Sequence, residues 1–143
     1  MKKLLGSIGI GGALLLLQVS PIFAATHLED AQVAAQHATC LLGVAATDTT
    51  AMAIDLHVSQ AQTYLHTAHV HLMEAEDETI DPVWLMKIRY FLRLTEQTYR
   101  MGQTVLESPN IHKHFRAWSA YQFAGMLNNE IRAIVDVTHG TCG

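Results

Sequence analysis

No catalytic string stands anywhere in this chain. There is no Gly-rich phosphate loop, no Gly-x-Ser-x-Gly elbow, no His-Glu-x-x-His and no Cys-x-x-Cys. Without Cys-x-x-Cys-His there is no site for c-type haem attachment either. Basic charge is also short, at 9 Lys and Arg against 13 Asp and Glu. That balance excludes the clustered positive surface that nucleic acid or anionic lipid rewards. Internal repeats at a solenoid period and low-complexity linkers are absent, and no segment after the N-terminal stretch is long and apolar enough to span a membrane. Cysteine is scarce, with 2 in 143 residues.

The N-terminal stretch reads as a cleaved secretory signal peptide over residues 1–24. Lys2 and Lys3 open it, Leu4 to Val19 form an uncharged apolar core, and Pro21 breaks the helix. Ile22-Phe23-Ala24 then offers a small residue to the peptidase, with cleavage before Ala25 or Thr26. Gly6, Gly9, Gly11 and Gly12 leave the good apolar run shorter than the ~20 residues a membrane anchor needs. The first cysteine is Cys40, too far along to carry a lipoprotein anchor. The expectation is a periplasmic or secreted protein made of one domain, residues 25–143. Losing the two lysines takes its formal charge from -4 to -6.

Apolar residues past residue 24 recur at three and four rather than at two, which predicts helices and no strands. Segment one spans 27–46, with Leu28, Ala31, Ala35, Ala38, Leu42 and Ala45 on one face. Segment two spans 50–76 and repeats from Ala51 through Ile54, Val58, Ala61, Leu65 and Ala68 to Leu72. Segment three spans 81–107 and opens on Asp81-Pro82, an N-cap followed by proline at the first helical position. Its expected buried face runs from Trp84 through Ile88, Phe91, Leu92 and Tyr99 to Leu106, opposite a charged stripe of Arg89, Arg93, Glu96 and Arg100. Segment four spans 111–138 and is expected to bury Ile111, Phe115 and Trp118, then Ala120, Phe123, Leu127, Ile131 and Ile134. Short connections make an up-down-up-down four-helix bundle the expected fold.

The cysteines strain that topology. An exported protein with two cysteines is expected to join them, closing a loop of 102 residues between Cys40 and Cys142. Yet Cys40 lies near the end of segment one and Cys142 just past segment four, and in the simple bundle those ends point apart. The gap is on the order of 20–40 Å, against the roughly 5.5–6 Å between Cα atoms that a disulfide allows. Three readings stay open: a bend that brings the termini together, a bond between two subunits, or thiols that are free or bind metal. Segment one adds a second apolar ridge, Val33, Cys40, Leu41 and Val44, which predicts either a central helix or an interface for a homodimer or protein partner.

Histidine is abundant, with 9 in the chain. His37-Ala-Thr-Cys40 and His139-Gly-Thr-Cys142 repeat one string around each cysteine. Reduced, they would make a Cys2His2 zinc set. On segment two, His66 and His69 sit three apart on one flank with Gln62 and Met73, a pair that can share a metal, with the nearby Met suited to copper. His57, Tyr64 and His71 line the other flank at intervals of seven. Glu74, Glu76, Asp77, Glu78 and Asp81 crowd the following turn, read as a solvated acidic surface. The expected function is an exported helical binding protein, not an enzyme, that takes a transition metal or cofactor through His66, His69, His37 and His139. The alternative is a protein-interaction module such as an envelope chaperone or adaptor.

Overall fold

The computed structural model describes residues 15–138 and 142, with side chains from Ala24 onward. Most of the expected signal peptide therefore lies outside the described residues. Four helices follow one another: α1 Leu15–Ala45, α2 Ala51–Asp77, α3 Pro82–Glu107 and α4 Asn110–Arg132, and the described residues contain no strand. The all-helical bundle and the starts of α2 and α3 match the periodicity. Thr50 caps α2 by accepting from the Ala53 amide at 3.1 Å. Asp81 caps α3 by accepting from Val83 at 2.8 Å, with Pro82 behind it. Helix α1 starts earlier than expected and runs through Pro21, which forfeits one backbone bond without ending the helix.

Neighbouring helices run antiparallel around a ring. His27 meets His71 and His37 meets Tyr64 across the α1–α2 seam. Glu76 meets Arg89 across α2–α3, and Gln32 meets Asn128 across α1–α4. Helices α1 and α3 occupy opposite corners with no direct packing. Alanine fills much of the core: Ala31, Ala35, Ala38 and Ala45 from α1, Ala61, Ala68 and Ala75 from α2, and Ala117, Ala120 and Ala124 from α4 are all buried.

That choice overturns the expected face of the first half of α4, while Ala120, Leu127 and Ile131 in the second half are buried as expected. Ile111, Phe115 and Trp118 are 84%, 69% and 50% exposed, while Lys113, Ala117, Ala120 and Ala124 face inward. The physical reason is size. A ridge of alanines lies close against the alanine stripe of α1, where a large aromatic has no room, so the more hydrophobic ridge is turned out. The buried Lys113 ammonium is satisfied by the Val105 and Leu106 carbonyls at 2.9 and 3.0 Å and by Asp55 at 2.9 Å. It fastens the start of α4 to the last turn of α3. On α3, Tyr99 is likewise more exposed than expected, and Thr95 and Thr98 take inner positions with their hydroxyls bonded to Phe91 and Leu94 carbonyls at 2.7 Å.

The cysteine conflict dissolves because α4 ends at Arg132 rather than at 138. Beyond it the chain turns back, with Ile134 and Val135 packing on the core. A ladder of buried amides guides the returning tail. Gln32 donates to Asn128 at 2.9 Å and to Thr138 at 2.8 Å, and its oxygen accepts from the Val137 amide at 3.2 Å. Asn128 donates to Gln36, which in turn reaches Cys142 Sγ at 3.4 Å. Cys142 thus arrives at disulfide distance from Cys40, the Cα atoms 5.4 Å apart, within one chain and with the up-down-up-down order intact. The expectation that such a pairing excludes the simple helix order is corrected: ten residues of tail cover the distance that a helix running to residue 138 could not.

Two measurements check this packing. A cross-link closing 102 residues stabilises by ~4–5 kcal/mol on the chain-entropy estimate, so adding reductant should lower the unfolding free energy by about that amount. Superimposable denaturation curves with and without reductant would rule the bond out. Among the glycines, a Cβ on Gly102 would collide with the buried Gln62 side chain, whereas one on Gly125 meets nothing within 4 Å. Both gain up to ~1 kcal/mol of helix propensity as alanine, but overpacking costs ~1–3 kcal/mol. Gly102→Ala should destabilise and Gly125→Ala stabilise, by about 1 kcal/mol each way, in the same denaturation assay.

Candidate metal centre

The flank of α2 that carries His57, Tyr64 and His71 is the one that faces α1 and the turn after it. His57 Nδ1 lies 2.6 Å from Asp48 Oδ2, and Tyr64 stacks on His37 with ring centroids 4.8 Å apart. His71 meets His27, their Nδ1 atoms 3.4 Å apart. The opposite flank faces α3: Gln62 donates to the Tyr99 carbonyl at 2.8 Å, and His69 Nε2 sits 3.4 Å from Glu96.

His27 and His71 reach the same point for the same local reason. Each stands immediately before a core leucine, Leu28 at 2% and Leu72 at 0% exposure. One step from a core position puts a side chain at the rim of the seam, half-buried, and a residue three further on shares that flank one turn away. Those residues are Asp30 and Glu74, so His27-Leu28-Glu29-Asp30 and His71-Leu72-Met73-Glu74 are the same His-Leu-x-acid string on two antiparallel helices.

The donor atoms converge. Glu74 Oε1 lies 3.4 Å from His27 Nδ1 and 3.4 Å from His71 Nδ1, which are themselves 3.4 Å apart. A tetrahedral ion bonded at about 2.0–2.1 Å sets its ligands roughly 3.3–3.4 Å from one another. The three atoms therefore form one face of such a tetrahedron. Asp30 Oδ2 is 3.9 Å from His71 Nδ1, and His27, Asp30 and His71 each place a donor within 4.8 Å of the others. Glu78 adds an oxygen 3.4 Å from His27 Nε2.

Electrostatics favour a cation here. The last turn of α2 carries no basic residue, and it ends on Glu74, Glu76, Asp77 and Glu78. The carbonyl end of a helix is itself negative, equivalent to about half an electron charge. Among the described residues only Glu76 finds a permanent positive partner, Arg89 at 2.7 Å. Glu74 and Glu78 turn to the two imidazoles instead. The side chains are 23% and 27% exposed at His27 and His71, open enough for an ion to enter.

The four histidines singled out from sequence are not among these donors. His66 is exposed, His69 pairs with Glu96, and His37 lies under Tyr64. His139 lies outside the described residues. The cysteines meet each other, so the Cys2His2 arrangement has no free thiolates to offer. Sequence reading missed His27 and Asp30 and placed Glu74 and Glu78 on a solvated turn. The repeated His-Leu-x-acid string was the available signal. Comparison with protein-family models, curated proteins and solved structures finds no match to this chain.

Proposed function

We propose that this is an exported four-helix protein that binds a divalent transition metal between α1 and α2. The ion is held by His27, His71 and Glu74, with Asp30 beside them. The observation that carries the reading is the triangle of donor atoms at 3.4 Å on every side. Two imidazoles with carboxylates suit zinc, and copper in its divalent state, better than the soft ions that prefer sulfur. Export is supported by Lys2-Lys3 ahead of the apolar Leu4 to Val19 stretch, and by a cysteine pair at disulfide distance, which persists in oxidising compartments.

The reading of the protein as an interaction module rested on the second apolar ridge of α1. Less of that ridge is free than the sequence implied. Val33, Cys40 and Leu41 are half-buried, and the C-terminal tail reaches Cys40. The metal reading therefore has more behind it.

Titration of the protein with Zn2+, Cu2+ and Ni2+, followed by native mass spectrometry, should show one equivalent of zinc or copper. His27→Ala and His71→Ala should each weaken binding by more than about 100-fold, beyond what loss of a supporting residue does. His66→Ala and His69→Ala should leave it unchanged. At a hundredfold excess of free ion over Kd, binding should add ~2.7 kcal/mol to the unfolding free energy. No uptake, or a loss confined to the His66 and His69 variants, would sink the proposal.

A further inference from the structure

Glu78 is placed at odds with the helix that carries it. It is the C-terminal cap of α2, its amide held by the Glu74 and Glu76 carbonyls, and a carboxylate at that end faces the negative pole of the helix, which is unfavourable. Its Oε1 is buried, yet accepts no hydrogen bond among the described residues. A buried acceptor left unmade is unfavourable. One group stands ready to fill it: Nε2 of His27, 3.4 Å away. The adjoining backbone is fixed as well, since the Thr79 hydroxyl donates to the Ala75 carbonyl at 2.6 Å, so the carboxylate is presented rather than trailing.

On the reading of the His27–His71 cluster as a metal site, we infer that Glu78 is a positioning residue for it. A neutral imidazole carries one proton. If Nδ1 of His27 is to give its lone pair to a metal, the proton must reside on Nε2. Glu78 Oε1 selects that tautomer by accepting the Nε2 proton, and a shift of a few tenths of an ångström brings the pair into hydrogen-bond range. Bound in this way, the imidazole is held in one orientation and made a stronger donor, as carboxylates behind ligating histidines do in general. Among the described residues His71 has no equivalent: its acidic neighbours, Asp30 and Glu74, both approach on the Nδ1 side. The two histidines are thus unequal, one supported from behind and one not. The same contact gives the Glu78 carboxylate the positive partner that α2 does not supply, because an imidazole bound to a divalent ion shares its charge.

Zinc titration of the protein and its variants tests this, with nitrogen-15 NMR of the histidine rings as a second readout. Glu78→Ala should weaken zinc binding by about 10–100-fold. Glu78→Gln, which keeps an acceptor and loses the charge, should fall between it and wild type. Glu76→Gln, whose carboxylate faces Arg89 instead, should bind as wild type. In the zinc-loaded protein, His27 should show a metal-bound Nδ1 and a protonated Nε2, and Glu78→Ala should blur that signature into a mixture while the melting temperature of the zinc-free protein stays within the range of other surface variants. Wild-type affinity in Glu78→Ala, or a His27 protonated on Nδ1 when zinc is bound, overturns the role of Glu78 and leaves the metal site standing. Failure of the wild-type protein to take up zinc at all, or zinc binding indifferent to His27→Ala and His71→Ala, overturns both.

Discussion

Alanine sets how closely α1 approaches its neighbours. Ala31, Ala35, Ala38 and Ala45 of α1, Ala61, Ala68 and Ala75 of α2 and the Ala117–Ala124 ridge of α4 are all buried, in helices where α1 packs against α2 and α4. Small side chains let helix backbones draw together, and side chains at the rim of the seam then meet directly. That is why His27 and His71 stand 3.4 Å apart and why His37 and Tyr64 stack. Replace the alanines by leucines and the rim groups would be held apart by the extra bulk between the axes. The candidate metal centre is a consequence of the core, even though none of its donors is in the core.

The same close packing explains what the sequence disclosed and what it did not. Helices α2 and α3 were legible almost to the residue, because Thr50 and Asp81-Pro82 are strong caps and the apolar stripes between them are continuous. Helix α4 was legible as a helix and in the facing of its second half, where Ala120, Leu127 and Ile131 are buried, but not in the facing of its first half. Hydrophobicity favours Ile111, Phe115 and Trp118 for the inside, and only the shape of the space beside α1 reverses that choice. Its end was misplaced for a related reason. Ile134 looks like one more turn of the stripe, and it does pack on the core, but from a tail that has already left the helix. The tail's direction depends on Gln32, Gln36 and Asn128, polar residues whose inward facing no hydrophobic pattern announces.

The candidate metal site was hidden by distance along the chain. Its two halves are 44 residues apart, and each half alone is an ordinary histidine with an acid one turn on. What joins them is the register of α1 against α2, which a single-helix pattern does not contain. The pair His66 and His69 drew attention because both members lie on one helix, where spacing can be read directly. The flank of His57, Tyr64 and His71 carried the better information. A heptad spacing keeps residues along one edge of a helix, and an edge of that kind faces whatever helix packs beside it. Each member does find a partner on the α1 side: Asp48, His37 and His27. Reading that edge as a seam rather than as a list of ligands would have led to His27.

An alanine core also carries an energetic consequence. Burial stabilises at roughly 25 cal/mol per Å² of apolar surface, and an alanine buries far less of it than a leucine. Helix α1 buries only Leu28 and Leu42 as large apolar side chains along its described inner face. Its docking must draw more than usual on directed links. The structure supplies them on two sides: the amide ladder and the cysteine pair tie α1 to the tail of α4, and the histidine–carboxylate cluster ties it to the end of α2. The first link depends on an oxidising environment and the second, once a cation occupies it, on metal supply. Both conditions are set outside the molecule. A helix that buries so few large apolar side chains is one whose attachment the surroundings can strengthen or weaken.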